Sequence, residues 1–253
     1  MHKFFTPSEN INELNGKILG DDVKHIYKVL RLEAGEKIIL NNCLGEEFLG
    51  EISSVSKEEV EVNILEKLER NNESPIEVFL FQGLPKSQKM DLIVQKGTEL
   101  GVTKFIPTIT KRVDIKLKGD FKKLDRLNRI ALEAAKQSKR GIIPTVSEPI
   151  TFEDALNEID SMDLFLVPYE NAENFGIKAM VNDLNKKGCL KEVKRVGIMI
   201  GPEGGFEEEE INKLKEKSAY IITLGSRILR TETAGFTATS LVQYELGDLG
   251  GNI

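Results

Sequence analysis

The stretch VGIMIGPEGGFEEEEI, residues 196–211, sets an apolar run against three glycines, a proline and four consecutive glutamates. It reads as strand, tight loop and helix, the plan of many nucleotide-binding loops. It has neither the lysine followed by serine or threonine of a phosphate loop nor the glycine spacing of a dinucleotide fold. Glu207 to Glu210 occupy the first turn of the expected helix, where they suit the helix dipole. A pyrophosphate in that position would be repelled by on the order of several kcal/mol in a low-dielectric pocket. The loop suits a ligand that is cationic, or uncharged on that side. S-adenosylmethionine has that chemistry: a sulfonium, an ammonium and no phosphate. The alternative is that the glycines only make turns.

Two other loops must meet this one if it is a site. Leu164–Val167, Arg195–Ile200 and Tyr220–Leu224 are near-continuous apolar runs, the pattern of strands covered on both faces. Each runs into a loop: 167–170, 201–205 and 225–230. Strand character at Ile76–Phe81 and Lys104–Pro107 alternates with helical spacing at 89–100, 121–138, 151–159, 206–217 and 231–246, which predicts an α/β domain from about residue 74. Ligands of such sheets bind where the strand-end loops converge. Before the polar segment LERNNESP (68–75), strand-like runs at 37–40, 47–53 and 59–65 follow one helix opened by Asp21 and Asp22. Val23, Ile26, Tyr27 and Leu30 are its expected buried stripe. These elements predict a small β-barrel, a shape often used to bind RNA. The two parts are taken as residues 1–72 and 73–253.

Net charge over the 253 residues is −6, but the distribution is uneven. Residues 85–140 hold fifteen Lys and Arg against six Asp and Glu, a local surplus of nine, so the rest of the chain carries −15. A basic stretch in an acidic chain is either an electrostatic footprint for a polyanion or a solvated helix face. Cys43 and Cys189 offer neither a disulfide framework nor a metal cluster. No run approaches the ~20 apolar residues of a membrane span, and MHKFFTPSEN lacks the apolar middle of a secretory signal. The expectation is a cytoplasmic protein with no membrane and no metal.

IGPEGGFEEEEI (200–211) and LGSRILRTETA (224–234) together resemble the knotted SPOUT methyltransferases, and more narrowly the 16S rRNA (uracil-N3)-methyltransferase family. The resemblance extends over HIYKVLRLEAGEKI (25–38), KSQKMDLIVQKGTELGV (86–102), the arginine of TKRV (110–113) and RIALEAAKQSKRGIIP (129–144). It departs at His2-Lys3, where the family tends to carry arginine, and at Gly235-Phe236, where small aliphatic residues are usual.

The resemblance implies an α/β SPOUT domain with a deep trefoil knot, a PUA-like N-terminal barrel, and a homodimer joined through the last helix. It implies methylation of uridine N3 at U1498 of the small ribosomal subunit's RNA, with S-adenosylmethionine as donor. Gly201, Gly204, Gly205 and Gly225 would let main chain approach the cofactor, beside Pro202, Glu203 and Thr233. Val167, Ile200, Leu224, Ile228 and Leu229 would supply apolar walls. Uracil N3 gives up its proton reluctantly. Arg230 would stabilise the developing anion, or else clamp a phosphate or form a structural ion pair. Glu232 would accept the proton, or else only stabilise the helix start; Glu203 is a second acceptor candidate. RNA contacts would come from Lys3, Arg31, Lys86, Lys89, Lys96, Arg112, Arg129, Lys136 and Arg140. Replacing Arg112 or Arg140 by alanine would then weaken RNA binding and leave cofactor affinity alone. Two other readings stay open: a SPOUT enzyme acting on another RNA position, and a non-catalytic rRNA-binding assembly factor.

Overall fold

Val78, Phe79, Leu80, Phe81 and Gln82 are buried in succession. A strand with no exposed face needs cover on both sides, and the surrounding chain supplies it. A computed structural model describes residues 1–69, 72–114, 121–172 and 174–251. Residues 70–71 of the expected boundary, and Lys116 and Lys118 of the basic stretch, lie outside the described residues. The chain divides into two compact units: Met1–Glu73 with Ala135–Ile143, and Ser74–Ala134 with Pro144 onward.

The first unit contains β1 (Lys3–Phe5), β2 (Asn15–Leu19), α1 (Asp21–Lys24), β3 (Lys37–Asn41), β4 (Glu47–Val55) and β5 (Glu59–Leu68). The strands form one sheet in the order β1-β3-β4-β5-β2. The pair β1 and β3 is parallel and the others are antiparallel. Two register shifts bend β4 against β5. The sheet curls until its edge strands approach, where the Thr6 hydroxyl donates to Lys17 O at 2.6 Å. Ile18, Ile26, Ile38, Leu40, Ile52 and Val60 fill the interior. The expected helical stripe is corrected here. Beyond α1 the chain widens into a π-helical turn, His25–Leu30. Its wider turn breaks the 3.6-residue repeat, so Val23 and Ile26 point inward while Tyr27 is 45% exposed.

In the second unit the elements are β6 (Glu77–Gly83), α2 (Lys89–Glu99), β7 (Val102–Ile109), most of α3 (Leu124–Gln137), β8 (Thr145–Val146), β9 (Ile150–Thr151), α4 (Phe152–Glu158), β10 (Leu164–Pro168), α5 (Ile177–Lys187), β11 (Arg195–Ile200), α6 (Glu208–Glu216), β12 (Tyr220–Ile222) and α7 (Thr231–Glu245). The sheet runs β12-β10-β11-β6-β7-β8, with β9 also on β7. Every pairing is parallel. Alternate residues feed two cores. Val78 and Leu80 join Ile93, Leu127, Met180 and Val242 on one face. Phe79 and Phe81 join Phe152, Leu156, Ile211 and Leu214 on the other. Helix α5 was not expected from the sequence, although Ile177, Met180 and Leu184 are its buried stripe.

Gly97 on α2 tests the packing. A Cβ there would lie 2.5 Å from the buried Phe105 ring. Alanine gains ~1 kcal/mol of helix propensity over glycine, whereas overpacking a core costs about 1–3 kcal/mol. Gly97→Ala should therefore lower stability, by up to roughly 2 kcal/mol, in urea titration. A stabilised variant would mean that the ring moves aside freely.

Candidate functional site

Parallel pairing puts the carboxyl ends of β10, β11 and β12 on one side of the sheet. The loops that follow them enclose a cleft of about 870 Å³. Of the residues expected at the cofactor, Ile200, Gly201, Pro202, Glu203, Gly204, Gly205, Leu224, Gly225, Ile228 and Leu229 line it, as does Arg230. Val167 lies wholly buried in the core behind. Thr233 is exposed on α7 and does not line the cleft, and neither does Glu232. Tyr169, Glu170, Asn174, Phe206, Thr223 and Thr231 line it without having been proposed as site residues.

Close main-chain packing shapes the cleft. A Cβ at Gly83, the last residue of β6, would fall 2.6 Å from Pro202 N, so β6 reaches the glycine loop only as glycine. Gly205 has φ +69°, and a Cβ there would meet the Glu170 carboxylate at 2.8 Å. The third strand-end loop is fastened from below. Buried Gln82 donates through Nε2 to Thr231 Oγ1 at 2.8 Å, and Thr231 Oγ1 donates to Gly201 O at 2.6 Å. A side chain at the end of β6, the start of α7 and the glycine loop thus share one buried hydrogen-bond chain.

From outside, Arg112 clamps the same loop. Its guanidinium donates to Gly204 O at 2.7 Å and to both Glu207 oxygens, at 2.9 and 3.1 Å. That pairing holds the Glu207 carboxyl below its ordinary range. The acidic run is otherwise busy. Glu209 pairs with Lys111, and buried Glu210 accepts from Lys111 N and from Glu207 N, both at 2.9 Å. None of Glu207–Glu210 lines the cleft. This corrects the basis for excluding phosphate: among the described residues, the carboxylates lining the cleft are Glu170 and Glu203. Burial alone would raise the Glu203 carboxyl. Hydrogen bonds from its own N–H, Lys89 and Lys86 N–H outweigh that and hold it low. Lys89 Nζ lies 3.1 Å from Glu203 and 3.3 Å from Glu232, and the Glu203 contact keeps it firmly protonated.

Several cations expected at RNA are held by carboxylates or carbonyls. Lys3 pairs with Glu47 and donates to Lys139 O and Arg140 O. Lys136 pairs with Asp22 at 2.9 Å. Arg140 is 5% exposed and meets Glu73 at 2.6 Å. Lys96 pairs with Glu99 on its own helix, and Lys86 with Asp114. Arg31 and Arg129 are exposed. Among the described residues, no group of three or more His, Cys, Asp and Glu could hold a metal, and no helix is long and apolar enough to cross a membrane.

Comparison with known proteins places this geometry. The RNA methyltransferase domain family matches residues 72–243, and the RNA methyltransferase PUA domain family matches residues 18–65. The ribosomal RNA small subunit methyltransferase E of Bacillus subtilis is 39% identical over 241 residues, 93% of this chain and 92% of that one. The protein of the same name from Aquifex aeolicus is 32% identical over 96% and 99% of the two chains. The crystal structure of the Neisseria gonorrhoeae ribosomal RNA small subunit methyltransferase E bound to S-adenosyl methionine superposes with a TM-score of 0.84. It is 31% identical and spans 98% of this chain and 99% of that one.

Thr231→Val keeps the shape but removes a donor and an acceptor from the buried chain. Leaving Gln82 and Gly201 short of partners should cost about 1–3 kcal/mol in urea unfolding. A neutral result would show that the contact does not hold the loops.

Proposed function

Since the chain belongs to the RNA methyltransferase family that includes the ribosomal RNA small subunit methyltransferases E, we propose that it methylates N3 of a uridine, U1498, in the 16S rRNA of the small ribosomal subunit, with S-adenosylmethionine as donor. One observation carries the reading: three strand-end loops meet in a cleft whose wall is glycine main chain and whose side chains include the carboxylates Glu170 and Glu203. Main chain at Gly201, Gly204, Gly205 and Gly225 suits a flat adenine, and the carboxylates suit a cationic donor. Ile200, Leu224, Ile228 and Leu229 supply apolar walls, with Pro202 and Glu203 at the turn. Val167 supports them from behind, and Thr233 supports the first turn of α7.

Bound adenosylmethionine supplies a methyl group activated by its sulfonium. The chain must deal with the uracil proton and the negative charge its loss creates. Arg230, at the N-cap of α7 and on the cleft wall, donates to the uracil as charge develops. Glu232, off the cleft wall but 3.3 Å from Lys89, which lines it, is assigned to receive the N3 proton. The working division is an RNA-binding domain over 1–72 and a methyltransferase domain over 73–253. The knot is proposed on the chain's path: after edge strand β12 it returns beneath the glycine loop, where Thr231 bonds Gly201, and lays α7 against β11. Exposed Leu241 and Tyr244 on α7 support an isologous dimer contact. RNA contacts are assigned to the exposed Arg31 and Arg129, with the paired cations, Lys86 among them, in a supporting role. Such contacts offset the few kcal/mol of extruding the base. The compartment proposed is the cytoplasm.

Purified protein incubated with labelled adenosylmethionine and small subunits lacking the modification should yield N3-methyluridine at one position by mass spectrometry. A ribose methyl, or no product, would sink the reading. Arg230→Met should lower kcat about 10²–10³-fold, as loss of one anion-stabilising donor does, with cofactor affinity kept. Arg112→Ala should weaken cofactor binding in calorimetry as well as RNA binding, because its guanidinium holds Gly204 O. Unchanged cofactor affinity would restore the division of labour expected from the sequence. In light scattering, the protein should show twice 28.3 kDa and Tyr244→Asp a single mass.

A further inference from the structure

Lys89 is placed oddly for a residue meant to meet RNA phosphate. It is the first residue of α2, where the helix dipole disfavours a cation. It lines the cleft, and its side chain is only 30% exposed. Two carboxylates from different elements compensate: Glu203 of the glycine loop at 3.1 Å and Glu232 of α7 at 3.3 Å. Those two carboxylates are not equally held. Glu203 also accepts from Lys86 N–H. Glu232 Oε2 is buried and receives no hydrogen bond among the described residues, so the ion pair with Lys89 is what balances its charge.

An ammonium group has three donors and a freely rotating head. A cation between one fixed and one loosely held carboxylate can exchange the second for a new anion without moving far. Building on the proposed uracil chemistry, we propose that Lys89 is a catalytic residue whose ammonium passes from Glu232 to the uracil carbonyl beside N3 as the N3 proton moves to Glu232. The charges balance throughout. Before the step, Lys89 stands between two carboxylates. After it, Glu232 is a neutral acid and Lys89 stands between Glu203 and the uracil anion. The N3–H pair stays on nitrogen and forms the new N–C bond, and the C–S pair leaves with sulfur as a neutral thioether. No further acid, base or metal is required. Glu203 acts as a positioning residue, fixing Lys89 to the glycine loop so that the exchange occurs over the cleft.

The test uses Lys89→Met in the full chain, with two RNAs: the natural uridine substrate and the same RNA carrying 5-fluorouridine. Fluorine withdraws electrons and makes N3–H more acidic, so an enzyme lacking its anion-stabilising cation should be partly rescued. The variant should lose about 10²-fold in kcat on uridine, regain at least about tenfold of that on 5-fluorouridine, and bind adenosylmethionine with unchanged affinity in calorimetry. Without any cofactor present, ¹⁹F NMR of the bound RNA should show the fluorinated base ionising at higher pH in the variant than in the wild-type protein. Equal losses on both RNAs, no loss, or a collapse of cofactor binding would overturn the assignment and leave Lys89 a structural clamp. Should Lys89→Met melt early, Lys89→Gln gives the same within-variant comparison. Failure of the wild-type protein to form N3-methyluridine would instead overturn the proposed reaction itself.

Discussion

The hydrogen-bond chain from Gln82 through Thr231 to Gly201 is the constraint on which the cleft depends. A buried amide and a buried hydroxyl cannot turn to water, so each must be satisfied within the protein or the fold bears the cost. Here Gln82 Nε2, the Thr231 hydroxyl and Gly201 O satisfy one another across three segments, the first more than a hundred residues before the other two, while buried Gln82 Oε1 has no hydrogen-bond partner among the described residues. The consequence is geometric. Gly201 cannot drift from α7, nor α7 from the end of β6, so the glycine loop keeps one shape before any ligand enters. Gly83 enforces the same approach sterically, since any side chain there would strike Pro202. Preorganised main chain of this kind orients a ligand without a further ordering cost.

The charges are sorted by what they hold. The basic stretch reads as a footprint for RNA, yet much of it is engaged: Arg112 with Glu207, Lys111 with Glu209, Arg140 with Glu73, Lys136 with Asp22. Ion pairs at the surface contribute little to stability, so their worth here is positional. Arg112 spans a loop carbonyl and a helix start, and the run of glutamates that looked like a cleft wall is the counter-charge for that lattice. An RNA arriving at these cations would compete with carboxylates already in place.

How far the sequence revealed this follows from which signals are local. Buried parallel strands announce themselves as unbroken apolar runs, so β6, β10, β11 and β12 are legible, and with them the three converging loops and eleven of the cleft residues. Helix α5 was not, because its apolar positions are sparse among lysines and asparagines. The edge strand β1 is three residues long and β2 contains a glycine, so neither shows a period. The π-helical turn at His25–Leu30 breaks the repeat by which Tyr27 was assigned inward. Ion-pair partners are wholly non-local. Nothing in KSQKM says that its second lysine faces Glu203, 114 positions later.

That lysine shows why a residue's type is weaker evidence than its neighbours. By composition Lys89 belongs to a basic stretch. By position it stands at the wrong end of a helix for its charge, between carboxylates brought in by the glycine loop and the first turn of α7. A phosphate contact needs a solvated, mobile cation; a partner for a transient anion needs one that is desolvated and already aimed. At 30% exposure and with two counter-charges Lys89 fits the second description. Arg129, exposed on α3, fits the first. The same residue class therefore divides into two jobs, and the division follows from burial and pairing, which only the folded chain supplies.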